Sequence, residues 1–195
     1  MALYLRLLRL LAAVNSALLG AGRWLAIVAI GVMVAVTLAQ VFFRYVLNNA
    51  LPWPDEAARF AMLWMTALAA PTALRAGGFV AIDMLPRALP RVPSALLNLC
   101  LLAIAMLVLI YGIELGHRHV KSGWLFNSSS LKLPLDWFGG AVVRVKLAWM
   151  FLSLLVGFYL MLLVTVELAL REFARLLGLE EALPEIAAPA IPEAE

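Results

Sequence analysis

Charge is what this sequence has least of. Only 14% of its 195 residues are charged, whereas a soluble globular domain carries about a quarter. That shortage excludes a water-exposed surface for most of the chain, because 65% of the residues are hydrophobic and mean hydropathy is +0.99. Cysteine is almost absent. The single Cys100 rules out an intrachain disulfide, and no metal-binding pattern surrounds it. The only histidines, His117 and His119, are two apart. On a helix that spacing sends them to different faces, unlike the axial ligands of a haem-bearing bundle. There is no glycine-rich phosphate loop, no nucleophile with its base, and no basic-aromatic surface for nucleic acid. These absences argue against an enzyme, a resident cofactor or metal, and a nucleic-acid partner. No internal repeat is visible, and the apolar runs hold few polar residues at depth. The chain therefore lacks the inverted repeats and broken helices of a self-sufficient secondary transporter.

What is present is long hydrophobic runs. A helix of about 20 apolar residues crosses a hydrocarbon core of roughly 30 Å. Four such spans are predicted, at about 24–46, 56–74, 94–116 and 147–170. The first has Trp24 at one end and Tyr45 at the other, placed like aromatic anchors at the two interfaces. Before it, Arg6, Arg9, Ala13, Ser16 and Gly20 recur at steps of three or four and share one helical face. Leucine and valine fill the remainder, which predicts an N-terminal amphipathic helix lying at the interface or packing on the bundle. A secretory signal peptide with Arg6 and Arg9 as its basic region is the competing reading. It is disfavoured because arginine recurs at Arg23 and no clear cleavage site precedes the next span. The fold class expected is an all-α membrane protein with four transmembrane helices. Residues 1–178 form one membrane domain, and 179–195 form an acidic Pro/Ala-rich tail without periodicity, read as disordered.

The remaining charge sits at the ends of spans, where its position is informative. Arg44 closes the first span, and Asp55, Glu56 and Arg59 open the second, with Pro52, Trp53 and Pro54 between. A short hairpin offers Arg44 either Asp55 or Glu56 as partner, and Glu56 and Arg59 stand three apart on one face. Ionisable residues at membrane depth call for a named role. Here the reading is a structural clamp or a contact with a partner subunit, rather than ion coordination. Residues 117–146 form the longest segment between spans, with Lys121 and Lys132 among its basic residues. Orientation rests on the second loop, which carries Arg75, Arg87 and Arg91, since the basic residues of the two sides nearly balance overall. Both termini are expected to be cytoplasmic.

Three ordered motifs resemble one known family. Arg44-Tyr45-Val46, Leu51-Pro52-Trp53, Glu56 and Arg59 come first. Arg75-Ala76-Gly77, Val80, Asp83 and Leu89-Pro90 follow. Ser130-Leu131, Leu133-Pro134 and Trp137 precede the last span. In this order, over about residues 40–137, they are similar to the small membrane subunit of tripartite ATP-independent periplasmic (TRAP) transporters. The chain departs from that pattern at Gly78, where the family often has histidine, and at Pro54-Asp55 after the tryptophan. The resemblance implies a non-catalytic subunit in a bacterial inner membrane. It would scaffold a large permease subunit and help a periplasmic binding protein dock, in sodium-coupled uptake of organic acids. It implies structural or partner contacts at Arg44, Trp53, Asp55, Glu56, Arg59 and Asp83. Lys121 and Lys132 are candidates for docking the binding protein. The runner-up from another class is a four-helix membrane redox subunit binding haem or quinone.

Overall fold

A computed structural model describes residues 2–77, 90–133 and 143–179. Its helices are α1 (Ala2–Tyr45), α2 (Pro54–Arg75), α3 (Arg91–Gly123) and α4 (Ala148–Leu176), with strands β1 (Asn127–Leu133) and β2 (Val143–Lys146) between the last two. All four helices are long and apolar enough to cross a bilayer. The protein is an all-α membrane protein with four membrane-spanning helices. Asp83, Gly78, Trp137 and the tail beyond Leu179 lie outside the described residues.

The amphipathic N-terminal helix and the first span are one uninterrupted helix of 44 residues. Residues 2–45 contain no proline, so nothing in the sequence breaks the backbone hydrogen-bond ladder. At 1.5 Å per residue such a helix is about 66 Å long, roughly twice the hydrocarbon thickness. One end of α1 must leave the core or run strongly slanted. α2 passes through Pro71 without stopping and continues to Arg75. That extra turn decides where the Arg75 guanidinium arrives.

α2 and α4 pack against each other at the centre, α1 lies on α2, and α3 lies on α4. The central contact is close because Gly157 of α4 faces Ala67 of α2: a Cβ added at Gly157 would stand 3.1 Å from the Ala67 Cα. The N-terminal half of α1 also reaches α4, where the Tyr4 hydroxyl donates to the Leu170 carbonyl and its ring meets Phe173 edge-on. The outer faces of α1 and α3 leave Trp24, Leu25, Val28, Leu38 and Phe42, and Ile104, Leu107, Val108 and Tyr111, exposed. In water such continuous apolar faces are a liability, but lipid or a membrane partner covers them without penalty.

The small antiparallel β1–β2 sheet was not anticipated from a segment read as a connecting loop. α3 runs on to Gly123, well beyond the expected end of the third span, and the chain then turns directly into β1. The turn needs glycine, since a Cβ at Gly123 would lie 2.7 Å from the Ala148 backbone nitrogen. The strands pair Asn127 with Lys146, Lys132 with Arg144 and Leu133 with Val143, and the register shifts between Asn127 and Lys132. Such an irregularity takes backbone groups out of the ladder and frees them for other partners.

Candidate functional site

Two carboxylates organise the molecule, one at each end of the helical bundle. Glu56 lies in the first turn of α2, where Pro54 at the helix start sets the backbone and the acidic pair Asp55 and Glu56 complements the dipole. The irregular stretch of β1 turns its N–H groups toward this side chain. Glu56 Oε2 accepts from the Ser130 N–H at 2.8 Å, the Ser130 hydroxyl at 2.6 Å and the Leu131 N–H at 3.1 Å. The Ser128 hydroxyl, itself buried, accepts from the same Leu131 N–H at 2.9 Å and holds the loop in shape. With a longer contact from the Ser129 hydroxyl at 3.4 Å, one charged oxygen thus takes four donors, two of them backbone N–H groups. The β sheet is pinned to the start of α2 by this contact.

The pairing considered for Glu56 is therefore corrected. Arg44 and Arg59 make no ion pair among the described residues, and both are exposed. The Arg44 guanidinium stacks over the neighbouring Tyr45 ring at 5.8 Å instead. Asp55 is exposed on the same turn. The physical reason is competition: fixed N–H groups offer Glu56 several short hydrogen bonds at no side-chain entropy cost, whereas an exposed arginine must be immobilised for a weak pair. Sequence reasoning missed the run Ser128–Ser130 as the partner of Glu56; its signal is three small hydroxyl residues opposite an acid across the same end of the bundle.

At the other end Glu167 of α4 is wholly buried. Its Oε1 accepts from Arg75 Nη2 at 2.8 Å and from Arg171 at 3.0 Å (Nε) and 2.8 Å (Nη2). Its Oε2 accepts from Asn15 Nδ2 at 2.8 Å. Arg75 also donates to the Ser16 hydroxyl at 2.7 Å and the Ala12 carbonyl at 3.1 Å. Three helices, α1, α2 and α4, meet at this single carboxylate. A buried charge is tolerated only when paired and hydrogen-bonded, and here both oxygens are satisfied. Asn15 was overlooked because one amide in a leucine-rich run carries little sequence signal. Glu167 and Arg171 are four apart on one helix, which is the spacing that predicts a pair, and Arg75 closes α2.

The docking candidates separate in space. Lys132 and Trp53 both line an open pocket of about 280 Å³ with Pro52, Ser129 and Ser130, directly beside the Glu56 contact. Lys121 lies in the last turn of α3 and does not line it. Lys132 stands opposite Arg144 across the strands, and neither has an anionic partner among the described residues. His117 bonds the Tyr159 hydroxyl at 2.8 Å and His119 the Leu115 carbonyl at 2.8 Å, so each is engaged within its own surroundings. Among the described residues no three His, Cys, Asp or Glu side chains converge as metal ligands would.

A family profile described as tripartite ATP-independent periplasmic transporters, DctQ component, matches residues 33–175. The chain belongs to the DctQ family. It is accordingly a small permease component of a TRAP transporter and a multi-pass membrane protein. Among curated proteins none matches the chain. The match takes in Glu56, the β sheet, Arg75, Glu167 and Arg171, so most of both carboxylate contacts lies within the DctQ region. Tyr4, Asn15 and Arg23 fall before it, in the N-terminal part of α1.

Proposed function

We propose that this DctQ subunit is a non-catalytic scaffold beside the large permease subunit, and that its β sheet helps a periplasmic binding protein dock. The observation that carries the docking role is the cross-strand pair Lys132–Arg144. Like charges placed directly opposite destabilise a sheet, and neither residue has an anionic partner among the described residues. An acidic surface on a partner relieves that repulsion and is steered toward it. The Glu56 contact gives the sheet a fixed position on α2, and rigidity of this kind lowers the ordering cost of docking. On this reading the Glu56 end faces the periplasm, the Glu167 end and both termini face the cytoplasm, and the membrane is the bacterial inner membrane. The exposed apolar faces of α1 and α3 are the surfaces available to lipid and to the permease. Arg44, Trp53, Asp55 and Arg59 at the hairpin, with Asp83, are proposed partner contacts. The transport served is sodium-coupled uptake of an organic acid, with substrate and ion handled by the permease.

The test is transport by the reconstituted complex at limiting binding-protein concentration. Lys132→Glu should raise the binding-protein concentration needed for half-maximal uptake, and added salt should shrink the difference from wild type. Uptake unchanged by Lys132→Glu at low salt would remove the docking role. Solute uptake by the purified chain alone would overturn the scaffold reading.

A further inference from the structure

Between α1 and α2 runs an open slot of about 380 Å³, lined by Arg23, Ala26, Ile27 and Ile30 on one side and by Met65, Ala69, Thr72, Ala73 and Ala76 on the other. The two helices are antiparallel neighbours, with Gly22 against Leu68. The slot therefore runs along them, with Ile30 and Met65 toward the bundle middle and Arg23 and Ala76 toward the Glu167 end. α2 presents only small side chains over most of its wall, and these leave the room that a larger residue would fill.

Arg23 is exposed and makes no ion pair or hydrogen bond among the described residues. It sits next to Trp24, which is 71% exposed and is of the type that anchors a helix at the headgroup level. At this end Arg75 and Arg171 hold Glu167 and Arg175 holds Glu172, while Arg6 and Arg9 are exposed like Arg23 but do not line the slot. The Thr72 hydroxyl on the slot wall is occluded and has no partner among the described residues. An apolar channel along the two helices, lined on one side by a cation without a partner among the described residues, has the polarity of a phospholipid with an anionic headgroup.

We propose that the α1–α2 slot holds one acyl chain of an anionic phospholipid, whose phosphate pairs with Arg23. A free phosphate does not satisfy the apolar length of the slot, and a zwitterionic lipid brings its phosphate together with a headgroup cation that offsets part of the attraction to Arg23. Arg23, Ala26, Ile27 and Ile30 lie before the residues matched by the family profile, whereas the α2 wall of the slot lies within them.

Native mass spectrometry of the full chain, released from nanodiscs containing equal phosphatidylglycerol and phosphatidylcholine, tests the site. The expected result is preferential retention of one phosphatidylglycerol. Arg23→Gln should reduce that preference roughly fivefold, the factor one cation contributes at an anionic lipid surface, and Arg23→Lys should keep most of it. Ala73→Phe, which fills the slot without touching the charge, should lower retention of both lipids. Circular dichroism and gel filtration confirm that each variant is folded, and labelling of wild type by a photoreactive phosphatidylglycerol at Ala69 or Ala73 gives a readout independent of the variants. No preference between the two lipids in wild type, or equal preference in Arg23→Gln, overturns the proposal. Crosslinking of the slot to the permease in place of lipid also overturns it.

Discussion

Removing the Glu167 carboxylate should be among the most damaging single changes in this protein. In Glu167→Gln the shape is nearly kept, but Arg75 and Arg171 lose their common counterion. Both arginine side chains are about nine-tenths buried, at 9% and 10% exposed, and Glu167 is at 0%. Breaking a buried pair by removing one member costs about 3–5 kcal/mol, because the remaining charge stays desolvated. With two arginines stranded, the expected loss lies in that range, or about 100- to 4,000-fold in the folding equilibrium. The assay is reversible unfolding of the purified chain in mixed micelles, followed by helicity. The double variant Arg75→Gln/Glu167→Gln supplies the decisive comparison. Contact between the two residues predicts that the second substitution adds much less than it costs alone, with a coupling of about 1–3 kcal/mol. A Glu167→Gln loss below about 1 kcal/mol, or strictly additive effects, would refute the argument that this carboxylate ties α1, α2 and α4.

Two further changes probe the other contacts. Glu56→Gln weakens the charge-assisted hydrogen bonds to β1, so amide exchange at Ser130 and Leu131 should quicken by at least tenfold, with α2 and α4 unaffected; unchanged exchange would show that the sheet holds its place without Glu56. Gly157→Leu drives a side chain into Ala67 and should cost about 1–3 kcal/mol by forcing α2 and α4 apart, measured in the same unfolding assay, whereas a neutral result would mean the crossing relaxes freely.

The sequence by itself determined the class of molecule. Four apolar runs of membrane-spanning length, little charge and a lone cysteine left few alternatives to a four-helix membrane protein. The ordered motifs from Arg44 to Trp137 pointed to the DctQ family that the profile then matched. Helix existence is local, resting on hydrophobic length and on where proline stands, which is why the four spans were legible. Even so, one local inference went astray in detail: nothing in residues 20–24 breaks the ladder, so what read as two helices is the single α1.

Partner choice is not local, and only the tertiary structure decided it. From sequence spacing Arg44 and Glu56 are neighbours across a hairpin, yet Glu56 turns to backbone N–H groups of Ser130 and Leu131, more than seventy residues away. Those groups became available only because the register of β1 shifts beside β2. In the same way Asn15, Arg75 and Glu167 are unremarkable in three separate runs, and they converge only when α1 lies on α2 and α2 on α4. A buried carboxylate takes whichever donors packing brings within 3 Å, and sequence spacing constrains that only within one helix, as for Glu167 and Arg171.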